Sequence, residues 1–123
     1  MIVVVVDDDR DIRELMCEVL KLREYQLEAF QTADDAWCYL TSCSEPAGLL
    51  ITDVVMPGAL DGFDLAKLAT EQLNLPTVVA SGYCDQAKYS SHTPSVFLSK
   101  PWSIDGLLEA CDLALRPNPD RAA

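Results

Sequence analysis

Four aspartates, a serine and a lysine stand where a chemical site can be assembled. Asp7, Asp8 and Asp9 directly follow an apolar run at residues 2–6, and Asp53 closes a second run at 49–52. Ser81 follows a third run at 77–80, and Lys100 comes soon after a fourth at 95–98. Runs of this kind, short and rich in β-branched residues, suit strands buried on both faces. Carboxylates brought within a few ångströms of one another repel and raise each other's pKa. A hard divalent cation relieves that strain; Mg²⁺ takes carboxylate oxygens, keeps several waters and commonly bridges to a phosphate. A lysine and a hydroxyl beside it complete a site for a phosphoryl group.

Such chemistry needs a fold that gathers strand ends. Ile12, Leu15, Met16, Val19 and Leu20 have the i, i+3, i+4, i+7, i+8 spacing of an amphipathic helix. Residues 26–30 read as a short strand, and Ala33, Ala36, Trp37 and Leu40 repeat the helical spacing. Pro57-Gly58 marks a turn before a helix over 63–73, whose inner stripe is Leu65, Ala66, Leu68, Ala69 and Leu73. Ile104, Leu107, Leu108, Cys111 and Leu115 give a last helix, while residues 84–92 show little apolar periodicity. Strand and helix alternate, which predicts an α/β fold with a parallel sheet and helices on both faces. Right-handed crossovers leave few arrangements. In these sheets ligands bind beyond the carboxyl ends of the strands at the topological switch point. The aspartates, Ser81 and Lys100 all fall there.

Composition narrows the partners. The chain has 123 residues and a net charge of −11, from 9 basic and 20 acidic side chains. That length predicts one domain. The charge argues against nucleic acid and anionic membrane surfaces, and fits a cation or a basic partner. No apolar stretch approaches the roughly eighteen residues of a membrane span, and no basic region precedes the first run, so a cytoplasmic protein is expected. Five cysteines without a CxxC pair argue against a disulfide framework or zinc site, and read as small buried hydrophobes. His92 is the only histidine and lies in a Ser- and Pro-rich stretch, which leaves a histidine-based site little to build on.

The constellation resembles the receiver domain of bacterial two-component response regulators, the family that includes the chemotaxis regulator. The matching pieces are Val5-Val6-Asp7-Asp8, then Thr52-Asp53-Val54-Val55-Met56-Pro57 with Asp61-Gly62, then Ala80-Ser81-Gly82-Tyr83, then Phe97-Leu98-Ser99-Lys100-Pro101. The resemblance implies a flavodoxin-like, doubly wound fold, with a five-stranded parallel sheet of order 2-1-3-4-5 and five helices on both faces. It implies a receiver over residues 1–116 and a short disordered tail over 117–123. Asp53 would be the phosphoacceptor, taking its phosphoryl group from a phosphohistidine on a sensor histidine kinase or histidine phosphotransfer protein. Asp7, Asp8, Asp53 and the backbone carbonyl of Val55 would hold Mg²⁺, with Mn²⁺ as a substitute. Lys100 would pair with Asp53 and then with a phosphoryl oxygen, and Ser81 would donate to another. Ser81 and Phe97 would form the switch, the aromatic turning inward after phosphorylation. The Lys100-Pro101 bond would be cis. Such a domain is not a turnover enzyme; it catalyses its own phosphorylation and dephosphorylation.

The chain also departs from the commonest pattern. The loop after Asp53 is a residue longer, as in receivers of hybrid sensor kinases and some stand-alone receivers. Serine replaces the commoner threonine at 81. The stretch from Ser81 to Lys100 is short, so the fourth helix is expected to be short or irregular. Val55 is apolar and Tyr83 bulky at positions where a polar side chain could orient an attacking water, which predicts slow loss of phosphate. Asp9 reads as a helix N-cap, Asp11 and Glu14 as first-turn acids, and Asp61 as a turn or cap residue. Trp37 and Trp102 read as packing residues, and Phe97 as a core-edge aromatic in any case. Arg13, Met16, Cys17 and Leu20 are candidates for recognising the kinase.

Three other readings compete. A flavodoxin-like cofactor module needs Gly, Ser or Thr after the first strand, where this chain has aspartates. A phosphatase of the haloacid dehalogenase type needs a second Asp two residues past its nucleophile, where Val55 stands. A degenerate receiver would bind partners without phosphorylation, against which Asp8, Asp53, Ser81 and Lys100 are all intact. The expectation is a single-domain response regulator with no output segment after Leu115, monomeric or weakly dimeric when phosphorylated. The alternative parent is a hybrid histidine kinase.

Overall fold

The computed structural model describes residues 1–42, 44–82 and 95–116. Strands β1 (Ile2–Val6), β2 (Gln26–Phe30), β3 (Leu49–Asp53), β4 (Thr77–Ser81) and β5 (Val96–Ser99) form one sheet of order β2-β1-β3-β4-β5. Every pairing is parallel. The helices are α1 (Arg10–Leu20), α2 (Ala33–Ser42), α3 (Gly62–Leu73) and α4 (Ile104–Leu115), and a 3₁₀ turn over Lys21–Arg23 follows α1. The helix expected between Ser81 and Lys100 falls on residues 83–94, and the expected tail on 117–123; both lie outside the described residues, as do Tyr83 and His92.

β1, β3 and β4 are buried at every position, which is why their sequences are unbroken apolar runs rather than alternating ones. Their side chains still alternate between two cores. Val3, Val5, Leu49, Ile51 and Val78 pack with Met16 and Leu20 of α1 and Leu107 and Cys111 of α4. Ile2, Val4, Val6 and Leu50 pack on the other face with Ala36 and Leu40 of α2 and Leu65 and Ala69 of α3. The chain changes face between the helices on either side of β1 and β3, so the switch point lies between those two strands.

Register brings the strand ends level. Val6 pairs with Thr52, Asp53 with Ala80, and Ser81 with Ser99. Side-chain caps start the helices. Asp9 Oδ1 accepts the N–H groups of Asp11 at 2.9 Å and Ile12 at 3.3 Å. Asp61 and Asp64 form a reciprocal capping box on α3, at 2.9 and 3.1 Å. Ser103 Oγ accepts from the N–H of Gly106 at 2.9 Å on α4.

Some apolar residues read as inner stripe face outward. Leu15, Leu73 and Ile104 are 48%, 41% and 52% exposed. Leu73 occupies the last turn of α3; the chain reverses at Asn74, in the left-handed region at φ 50°, and Leu75 fills the core instead. Among the cysteines, Cys111 is buried, Cys17 half-buried and Cys38 exposed, so the reading as buried hydrophobes does not hold for Cys38. Trp37 and Trp102 are half-buried and pack against opposite cores.

Candidate functional site

Beyond the ends of β1 and β3, one carboxylate oxygen each from Asp7, Asp8 and Asp53 lies within 4.8 Å of the others. Asp7 and Asp53 are buried and Asp8 is exposed. Asp7 Oδ1 accepts the N–H of Asp9 at 2.9 Å, and Arg13 Nη1 donates to the Asp7 carbonyl at 2.8 Å. Burial pushes the Asp7 carboxyl from 3.8 up to about 6; the Asp9 N–H opposes this, Asp53 adds to it, Lys100 opposes and Asp8 adds. A carboxylate desolvated and crowded in this way is stabilised by a cation, and an all-oxygen donor set suits a hard one. The residues therefore fit Mg²⁺.

Lys100 Nζ forms an ion pair with Asp53 Oδ1. The Lys100 N–H donates to the Ser81 carbonyl at 3.0 Å, so the residue after β5 is tied to the end of β4. The Lys100-Pro101 peptide bond is cis. Ser81 Oγ is buried and has no hydrogen-bond partner among the described residues. An unsatisfied buried hydroxyl costs about 1–3 kcal/mol, so a ligand oxygen that accepts from it would be bound with gain.

Past Asp53 the chain turns sharply. Thr52 Oγ1 donates to the Asp53 carbonyl at 2.8 Å, and the N–H of Gly62 donates to the Val54 carbonyl at 2.8 Å. Val55 sits at the start of this loop with its side chain 69% exposed. Phe97 lies apart from the carboxylates, on the edge strand β5 opposite Val79, and is 37% exposed. Its neighbours Val96 and Leu98 join the core shared by α1 and α4, so alternation turns Phe97 toward the α3 face.

An open cleft of about 570 Å³ is lined by the carboxylates and Lys100 and by the apolar wall residues Ile12, Leu15, Pro101 and Trp102. This apolar wall was missed in the sequence, where Ile12 and Leu15 belong to a stripe that looks like core throughout. Of the residues suggested for kinase recognition, Met16 and Leu20 are fully buried and cannot be read by a partner. Arg13 is half-buried and occupied with Asp7. Cys17 is half-buried, and burial raises its thiol pKa.

The family model described as Response regulator receiver domain matches residues 3–112. The chain belongs to that family. It is 31% identical over 117 residues to the response regulator receiver protein CpdR of Brucella abortus, covering 92% of this chain and 95% of CpdR. It is 30% identical over 112 residues to the C4-dicarboxylate transport transcriptional regulatory protein DctD of Rhizobium meliloti; that match covers 88% of this chain but 24% of DctD. A response regulator receiver protein from Pseudomonas putida superposes with a TM-score of 0.76 at 32% identity, covering 91% of this chain and 95% of that one. Receiver domains are two-component signalling modules that interact with histidine kinases or phosphotransfer proteins, typically bind Mg²⁺, and are generally not turnover enzymes. No helix among the described residues of this receiver is long and apolar enough to cross a membrane.

Proposed function

We propose that this receiver accepts a phosphoryl group on Asp53. The observation that carries the reading is the setting of that carboxylate: buried, ion-paired to Lys100, and beside Asp7 and Asp8. An Asp53 oxygen attacks the phosphorus of a phosphohistidine on a sensor histidine kinase or histidine phosphotransfer protein. The P–N bond breaks, its electron pair stays on the imidazole nitrogen, and an acyl phosphate forms on Asp53. Lys100 passes from the carboxylate to a phosphoryl oxygen, and the Ser81 hydroxyl donates to another. Asp7, Asp8, Asp53 and the Val55 carbonyl would hold Mg²⁺ (or Mn²⁺), which would supply neutralisation of the phosphoryl charge. The protein contributes positioning and fixed charge.

The pull on Ser81 shifts the end of β4, and Phe97 turns in from its half-open position on β5. This is a local electrostatic event biasing a two-state element. The phosphodonor docks on the wall formed by Ile12, Leu15, Pro101 and Trp102, which is apolar and adjoins the reacting carboxylate. The match across nearly all of CpdR supports the reading as a single-domain regulator, which would act by protein contact in the cytoplasm; a receiver of a hybrid histidine kinase is the second reading. The exposed, apolar Val55 offers a water no hydrogen bond, which supports slow loss of phosphate.

Acetyl phosphate with Mg²⁺ should add one phosphoryl group to the wild-type chain, read by intact mass, and none to Asp53→Asn. An unmodified wild type, or equal modification of the variant, would overturn the assignment.

A further inference from the structure

The loop between β3 and α3, residues 54–61, is gripped from outside as well as at its ends. Asp34, in the first turn of α2, accepts the N–H of Ala59 on Oδ2 at 2.9 Å and the N–H of Leu60 on Oδ1 at 3.0 Å. Both oxygens of this carboxylate are thus engaged with backbone lying 25 and 26 residues further along the chain. Capping α2 does not require Asp34: Thr32 does that, its Oγ1 accepting the N–H of Asp35 at 3.1 Å. Hydrogen bonds to an ionised acceptor are roughly twice as strong as neutral ones.

Close approach is possible because residue 58 is glycine. Gly58 has φ 115°, and a Cβ there would lie 2.4 Å from Asp34 Oδ2. Apolar contacts reinforce the grip. Met56 is buried and Leu60 partly buried in the cluster that holds Ala33, Ala36 and Trp37 of α2. The far end of the loop is closed by the Gly62 N–H on the Val54 carbonyl at 2.8 Å. A loop pinned at 54, 59, 60 and 62 limits where the Val55 carbonyl, which would hold the metal, can lie.

We propose that Asp34 is a positioning residue for the carboxylate site, acting through the loop that carries the Val55 carbonyl. It touches neither metal nor phosphoryl group. Its effect on phosphoryl uptake rests on the Asp53 reading; its effect on Mg²⁺ affinity does not. Residues that orient metal ligands from behind typically change metal affinity by about 10–100-fold when removed.

The test is calorimetric titration of the full chain with Mg²⁺, alongside phosphoryl uptake from acetyl phosphate. Asp34→Ala should weaken Mg²⁺ binding about tenfold. Asp34→Asn, which keeps one acceptor oxygen, should weaken it less. Asp35→Asn removes the same charge from an exposed neighbour and should leave affinity near wild type. Saturating Mg²⁺ should restore most of the uptake by Asp34→Ala. If Asp34→Ala lowers the melting midpoint yet binds Mg²⁺ like wild type, Asp34 is only structural and the proposal is wrong. Equal weakening by Asp35→Asn would reduce the effect to charge and also overturn it. Should Asp34→Ala not fold, Gly58→Ala crowds the same carboxylate without removing it and should weaken Mg²⁺ in the same way; unchanged affinity there counts against the proposal. A wild type that binds Mg²⁺ but takes up no phosphoryl group defeats the Asp53 reading while leaving the affinity arm to decide on Asp34.

Discussion

Gly62→Ala should be among the most damaging single substitutions in the chain, lowering stability by about 4 kcal/mol or more and leaving little native protein. A Cβ on residue 62 would stand 1.8 Å from the carbonyl oxygen of Asp53 and 2.7 Å from both the Asp53 carbonyl carbon and the Val54 Cα. All three are backbone atoms, so no side chain can swing aside. The Gly62 N–H also donates to the Val54 carbonyl at 2.8 Å, which holds the start of α3 against the end of β3. Relief requires parting those two elements, and α3 carries Leu65 and Ala69 into the core. Any survivor that does fold has moved the strand end bearing Asp53, and should have lost Mg²⁺ binding as well. Gly48→Ala is the contrast. Its Cβ would meet Met1 Cγ at 2.3 Å and Sδ at 2.5 Å, the far end of a flexible, exposed side chain that can turn away. Urea unfolding of both variants decides the matter: comparable, small losses in each would show that the strand end is more pliable than its geometry indicates.

What could be read from the sequence follows from how far each feature depends on local chain. β1, β3 and β4 are covered on both faces, so each had to be an unbroken apolar run, and the first polar residue after each run marked a strand end. Asp7, Asp53 and Ser81 were visible as candidates for that reason. Asp9 and Asp61 were legible as caps because capping is decided within three residues. Outward-facing apolar residues were not legible. Leu15 obeys the same helical spacing as Met16, yet it lines the cleft while Met16 is fully buried, a difference the spacing does not carry. Asp34 was hidden for a different reason. First-turn acids are common because they complement the helix dipole, and nothing nearby in sequence distinguishes Asp34 from Asp35. Its partners lie across the gap between α2 and the loop after β3.

Asp7→Asn should stabilise the metal-free protein above about pH 7 and abolish most of its response to Mg²⁺. The Asp7 carboxyl is held up to about 6 from its ordinary 3.8, chiefly by burial, with Asp53 and Asp8 adding repulsion. Between those two values the folded chain keeps a proton that the unfolded chain has released. Stability of the metal-free fold therefore falls as pH rises through that window, and the full penalty applies above it. The penalty is on the order of 2–3 kcal/mol. Asparagine is neutral and nearly the same shape, and its side-chain oxygen can still accept the Asp9 N–H that now bonds Oδ1 at 2.9 Å. It should recover much of that energy and lose the part of the pH dependence that Asp7 contributes over the same window. The order reverses with metal. A cation that binds only the folded state stabilises it by about 2.7 kcal/mol at a hundred times its Kd, and the variant lacks one of the anionic donors. Urea unfolding from about pH 4 to pH 8 should place the variant above wild type at high pH without Mg²⁺ and below it with millimolar Mg²⁺, the order crossing over on addition of metal. Two parallel curves, or equal stabilisation of both chains by Mg²⁺, would mean that Asp7 is an ordinary buried acid. A crossing would mean that the fold tolerates a charge against its own stability because the cation it attracts removes the penalty, so that folding and readiness for phosphoryl transfer share one group.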